Sequence, residues 1–137
     1  MLRWTSIAGA ALTAGGVAWL SKIAVIVATS GRVTDTGAAG AFFLLGFVLL
    51  LIGSTGVGLS LTMNRAVPLR LLAALLCPIT LIVLLVALGA VLGPLVGDSG
   101  PSYAREEANI LAVAVLSLAV GAMLLTHSRR AHGARPV

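Results

Sequence analysis

Charge is what this chain has least of. Asp, Glu, Lys and Arg together make up only 9% of its 137 residues, against about 25% in a typical soluble domain. Hydrophobic residues supply 59%. A soluble fold this short has no means of hiding so much apolar surface, so lipid is the solvent that fits. Cysteine is nearly absent as well. Cys77 stands alone, which excludes an internal disulfide, a thiol redox pair and a cysteine-based metal cluster within one chain.

The catalytic vocabulary is equally thin. There is no HExxH pattern, no Cys-x-x-Cys, no histidine pair suited to haem and no Ser-His-Asp set within reach. Glu106 and Glu107 are adjacent, so on a helix their side chains diverge by about 100° and form no converging dyad. The formal charge of +5 is spread over short basic flanks beside apolar runs, with no stripe of bases and aromatics for nucleic acid. No metal or cofactor site is expected, and an enzyme is disfavoured. The spans show no internal repeat.

What is present is a set of four long apolar segments, at about residues 5–29, 38–63, 69–92 and 108–126. Roughly 20 apolar residues cross about 30 Å of hydrocarbon as a helix. Unpaired backbone groups are not tolerated in lipid, so the spans are expected to be helical despite many β-branched residues. The connections at 31–37 and 64–68 are too short to let neighbouring helices separate, which predicts hairpins. The third connection, about 94–107, is longer and rich in turn residues. Pro101 suits the first turn of a helix running through Tyr103 into span 4, where Glu106 and Glu107 would favour the helix N-terminus.

The few charges are sorted by connection. All four acids (Asp35, Asp98, Glu106, Glu107) lie in or beside the first and third connections. Six of nine bases (Arg3, Arg65, Arg70, Arg129, Arg130, Arg135) lie at the N-terminus, the second connection and the C-terminal end. By the positive-inside rule this predicts an all-α integral membrane protein, one domain over 1–137: an up-down antiparallel bundle of four helices, N-in and C-in. Residues 127–137 read as a flexible basic cytoplasmic tail. Its arginines gain about 1 kcal/mol each near anionic lipid headgroups. Span 1 exceeds the 7–15 apolar residues of a signal-peptide core, so it is expected to be retained. Eight arginines to one lysine, with abundant Ala, Gly, Val and Leu, associate with a GC-rich prokaryotic genome and hence a cytoplasmic (inner) membrane. Trp4 and Tyr103 suit the two interfaces.

Lys22 is the one ionisable residue well inside a span. Two readings are open. Its stem can lie in lipid while the ammonium snorkels to the outer headgroups. Alternatively it faces protein, since Ser6, Ala10, Ala14, Ala18 and Lys22 recur at intervals of four and small residues form packing faces. A protein-facing lysine has candidate partners at the outer start of span 4, in Glu106, Glu107 and Asn109. Together with Lys22 these form the candidate ion-pair or ligand cluster.

Span 2 contains Gly53-Ser54-Thr55-Gly56-Val57-Gly58-Leu59-Ser60. The glycine spacing imitates a phosphate loop, but Leu59 stands where lysine is required and no strand precedes it. Gly53, Ser54, Gly56, Gly58 and Ser60 are better read as a helix-packing surface. Pro78 removes a backbone donor and predicts a kink in span 3. Cys77 has no base beside it and reads as inert. His127 and His132 read as solvated.

These features favour a structural or accessory subunit packing in a larger membrane assembly or homo-oligomer, with lipid, a membrane protein or a second copy as partners. The alternative is a small oligomeric transporter or channel for an anion or small solute, using Lys22.

Overall fold

The computed structural model describes residues 2–34, 36–96 and 101–133, with side chains at 4–34, 36–96 and 101–130. The described chain is helical apart from its connections: α1 Leu2–Ala28, α2 Gly37–Leu61, α3 Val67–Val96 and α4 Ser102–Gly133. Each of the four is long and apolar enough to cross a membrane. The first two end within a few residues of the spans read from hydropathy, which is the ordinary scatter of helix ends.

The last two run further than hydropathy implies. α3 passes through both Pro78 and Pro94 before ending at Val96. The helix is therefore unbroken at Pro78. In lipid a proline forfeits one hydrogen bond, whereas leaving the helix would expose several backbone groups. α4 begins at Ser102 and continues to Gly133. Residues 127–133, read from hydropathy as a tail, form the last two turns of this helix. Arg129, Arg130 and Ala131 are good helix formers, and cations near a helix C-terminus are favoured by its dipole. Residues 134–137, with Arg135, lie outside the described residues.

Three helices share a tight seam. On α1 the residues Ala8, Leu12, Gly15, Trp19, Lys22 and Ile26 are all buried, at steps of four and three. On α4 Glu107, Ile110, Ala114, Ser117 and Gly121 are buried with the same alternation. Such 3.5-residue spacing is that of coiled-coil packing. It also corrects the reading of α1. A row at strict intervals of four drifts by roughly 40° per step on a helix of 3.6 residues per turn. Ala18 and Lys22 are buried, but Ala10 and Ala14 have rotated out and are exposed.

Glycine makes the seam close. A methyl group at Gly16 would lie 2.8 Å from the Ala114 carbonyl oxygen, and one at Gly121 would lie 2.8 Å from that of Gly9. Small residues of this kind let helix backbones touch, which is the main source of helix association in lipid. Along α1, Ala8, Leu12, Gly15 and Trp19 meet Gly56, Gly53, Leu50 and Gly46 of α2, so partner numbers fall as those of α1 rise. The same holds against α4, from Gly9 on Gly121 to Lys22 on Glu107.

α3 is different. It packs on α2 and α4, yet none of its most apolar stretch is buried. Leu71, Leu75, Val83 and Val86 are among its many exposed side chains. That composition suits a helix whose outer surface is solvated by lipid chains.

Candidate functional site

The end of α1 is shaped by its own backbone. Gly31 N–H donates to the Ile26 carbonyl at 2.9 Å and Ser30 N–H to that of Val27 at 3.0 Å, the Schellman pattern. Ser30 adopts φ 52° and Gly31 φ 76°. The turn brings Gly31 against Tyr103 of α4, so closely that a methyl group there would sit 2.5 Å from the ring. One turn below this closure lie Ile26 and then Lys22, both on the buried seam.

Lys22 turns inward. Its Nζ donates to Glu107 Oε1 at 2.8 Å and to Oε2 at 2.9 Å. The residue is 1% exposed and Glu107 8%, so the ammonium does not snorkel to the membrane boundary. Lys22 is six residues from the end of α1 and Glu107 five residues into α4, which places both roughly 8–9 Å inside their helices. The ammonium also lies 4.9 Å from the centre of the Phe43 ring, where the ring face attracts a cation.

Phe43 is held in turn by Trp19. The two rings stack at 5.8 Å with an interplanar angle of 2°, and Trp19 Nε1 donates to the Phe43 carbonyl at 3.0 Å. Phe47 continues the stack at 6.1 Å. Trp19 and Lys22 are three residues apart and so share a face of α1. This aromatic shelf went unread in the sequence, although a tryptophan in mid-span, far from either interface, was its available signal.

The other members of the expected cluster go elsewhere. Each step along a helix turns about 100°. Glu106 is therefore exposed while Glu107 is buried. Asn109, two steps on, faces α3, where its Nδ2 donates to the Leu85 carbonyl at 3.3 Å. The structure thus brings Lys22 to Glu107 alone among the three candidates and uses Asn109 to tie α4 to α3. Glu107 also gives the membrane-embedded region a carboxylate that hydropathy had left in a connection, because α4 starts six residues earlier than span 4.

The expected packing residues of α2 divide between two neighbouring helices and their own backbone. Gly53 lies on Leu12 and Gly56 on Ala8, whereas Gly58 lies on the Ala73 backbone of α3. Ser54 and Ser60 donate to the carbonyls of Leu51 at 3.0 Å and Val57 at 2.8 Å, within their own helix.

Among the spaces beside the helices, two bear on the residues above. A cleft of about 290 Å³ lies where α3 meets the other helices, lined by Ser54, Cys77, Thr80, Leu81 and Ser117 among others. Its hydroxyls are turned away: Thr80 and Ser117 donate to the carbonyls of Leu76 and Val113. A larger groove of about 630 Å³ runs along α4 between α1 and the end of α3, with Glu107 in its wall. Among the described residues no cluster of His, Cys, Asp and Glu is placed to hold a metal, and no buried side-chain nitrogen or oxygen lacks a hydrogen-bond partner. His127 is exposed on α4, and the side chain of His132 lies outside the described residues.

What the site does chemically is clasp. A buried carboxylate and ammonium hold each other and fix α1 against α4. No protein-family model matches the chain, and no curated protein or solved structure is significantly similar to it.

Proposed function

We propose that the protein is a structural or accessory subunit of the prokaryotic cytoplasmic membrane, assembling with a second copy or with another membrane protein. The observation that carries this reading is the outer face of α1. Ile7, Ala10, Ala14, Val17, Ala24 and Ala28 are exposed, at three- and four-residue steps or their sum. α3 exposes many leucines and valines to lipid, whereas half of the exposed α1 residues are alanines. Small residues let a further helix approach closely.

In this reading the bundle is up-down and antiparallel. The opposed numbering of helix contacts supports it. The charge pattern orients it with both termini in the cytoplasm, since six of nine bases lie at that end. Arg65, Arg129 and Arg130 are exposed there and meet anionic headgroups.

The transport reading has less support. Lys22 is 1% exposed and its ammonium is turned onto both Glu107 oxygens, so an anion has no open approach to it. Disulfide crosslinking in membranes separates the readings. In a Cys77→Ser background, Ala14→Cys and Ala24→Cys are expected to give a dimer or a partner adduct, and Leu72→Cys none. Equal crosslinking at all three positions, or at none, would remove the assembly reading. Anion flux in vesicles that disappears in Lys22→Met but persists in Arg129→Met would install the alternative.

A further inference from the structure

We propose that the groove along α4 is a binding site for a lipophilic amine, an ammonium group carried directly on an apolar body, with Glu107 as its counter-ion. The assignment is independent of the assembly reading and rests on the groove's shape, its one charge and the state of that charge.

The groove encloses about 630 Å³, inside the roughly 300–1,000 Å³ range of small-molecule sites. It follows α4 from Tyr103 to Val115, twelve residues or about 18 Å. Ile26, Ala108, Leu111 and Ala112 typify its wall, and among the described residues Glu107 is the one charged residue in it. Alanines on α4 open the space while Leu111 and Val115 stand exposed beside it. An apolar ligand can therefore enter sideways from lipid.

Glu107 is not saturated by Lys22. An ionised carboxylate offers about four acceptor positions, and the lysine takes one on each oxygen. The Glu107 side chain keeps 10% of its surface exposed, in the wall of the groove. An N–H donor arriving there completes the carboxylate. The form of the ligand follows from depth. From Glu107 to Val115 the groove extends about 12 Å, with no further charged group among the described residues of its wall. An amine bonded directly to its apolar body fits. An ethanolamine phospholipid would place its phosphate against alanine and leucine, at high desolvation cost.

The test is photolabelling of the full-length protein in phosphatidylcholine vesicles with dodecylammonium bearing a diazirine at the chain end. Saturable labelling is expected within 108–115 of α4. Unlabelled dodecylamine competes, whereas dodecanoate and lyso-phosphatidylethanolamine do not. Ala112→Phe fills the groove five residues from the ion pair and abolishes labelling. Glu107→Gln lowers it at least tenfold, and Lys22→Met, which frees the carboxylate, raises it. Should either Glu107 or Lys22 variant fail to fold, Ala112→Phe and the acid competitor still decide. Labelling spread over the exposed face of α3, equal competition by dodecanoate, or wild-type labelling in Ala112→Phe or Glu107→Gln would each overturn the proposal.

Discussion

Replacing Lys22 with methionine keeps the length of the side chain and removes its charge. Glu107 then remains 8% exposed against the same apolar seam, with both of its 2.8–2.9 Å hydrogen bonds from Lys22 gone. Breaking a buried pair from one side costs about 3–5 kcal/mol, because an uncompensated charge is left behind. That is between two and four powers of ten in the folding equilibrium. Removing both charges is a different experiment. In Lys22→Met with Glu107→Gln the carboxylate charge is removed together with the ammonium, so most of the lost stability should return. The reversed pair, Lys22→Glu with Glu107→Lys, should also recover part of it. The assay is reversible denaturant unfolding of the purified protein in mixed micelles, followed through Trp19, whose ring stacks on the Phe43 that faces the ammonium. The reasoning fails if Lys22→Met costs under about 1 kcal/mol, the level of an exposed pair. It also fails if the double variant is as unstable as the two single losses added, since coupled residues in contact should not add.

Three further outcomes follow from the packing. Gly121→Leu should drive α1 and α4 apart, because even a methyl group there meets the Gly9 carbonyl. A loss of about 1–3 kcal/mol or more is expected in the same unfolding assay, while Gly37→Ala, where a methyl group meets nothing within 4 Å, gives only the strain of its positive φ, about 1–2 kcal/mol. Trp19→Phe keeps the ring stack but deletes the hydrogen bond to the Phe43 carbonyl, for about 1 kcal/mol. Trp4 should then be the one remaining source of tryptophan emission, with an interfacial spectrum. Ser30→Gly should raise stability by a few tenths to 1 kcal/mol, since Ser30 sits at φ 52° where glycine carries no Cβ penalty. Gly31→Ala should lower it, as both its φ of 76° and the Tyr103 ring oppose a side chain.

Some of the site was legible before any coordinates. Lys22 stood out because a lone base in an apolar span is expensive, and acids near the next helix start were its natural partners. Which acid could not be read. Glu106 and Glu107 differ by one step of about 100°, and that choice depends on where α4 lies around α1. Nor could the intervals of four in α1 reveal the buried face. Ala10 and Ala14 have the same composition as Ala8 and Ala18, and only the course of the seam makes the first two exposed and the last two buried. Trp19 was visible as an aromatic in mid-span, but its stack on Phe43 joins residues 24 apart.

The amino-acid sequence by itself determined the solvent and the local structure. Four runs of apolar residues demand lipid, and lipid demands helices, because no water is there to satisfy a free backbone. These are consequences of composition and of contacts a few residues apart. Tertiary structure decided what those helices do to one another. It selected Glu107 for Lys22 across 85 residues, turned Asn109 toward α3, extended α4 through its arginines and left a groove beside the carboxylate. Each of these depends on the rotation of one helix about its axis relative to its neighbour. Hydropathy is nearly uniform around such helices, so the rotation is fixed by where glycines allow backbones to meet and where one buried charge finds another.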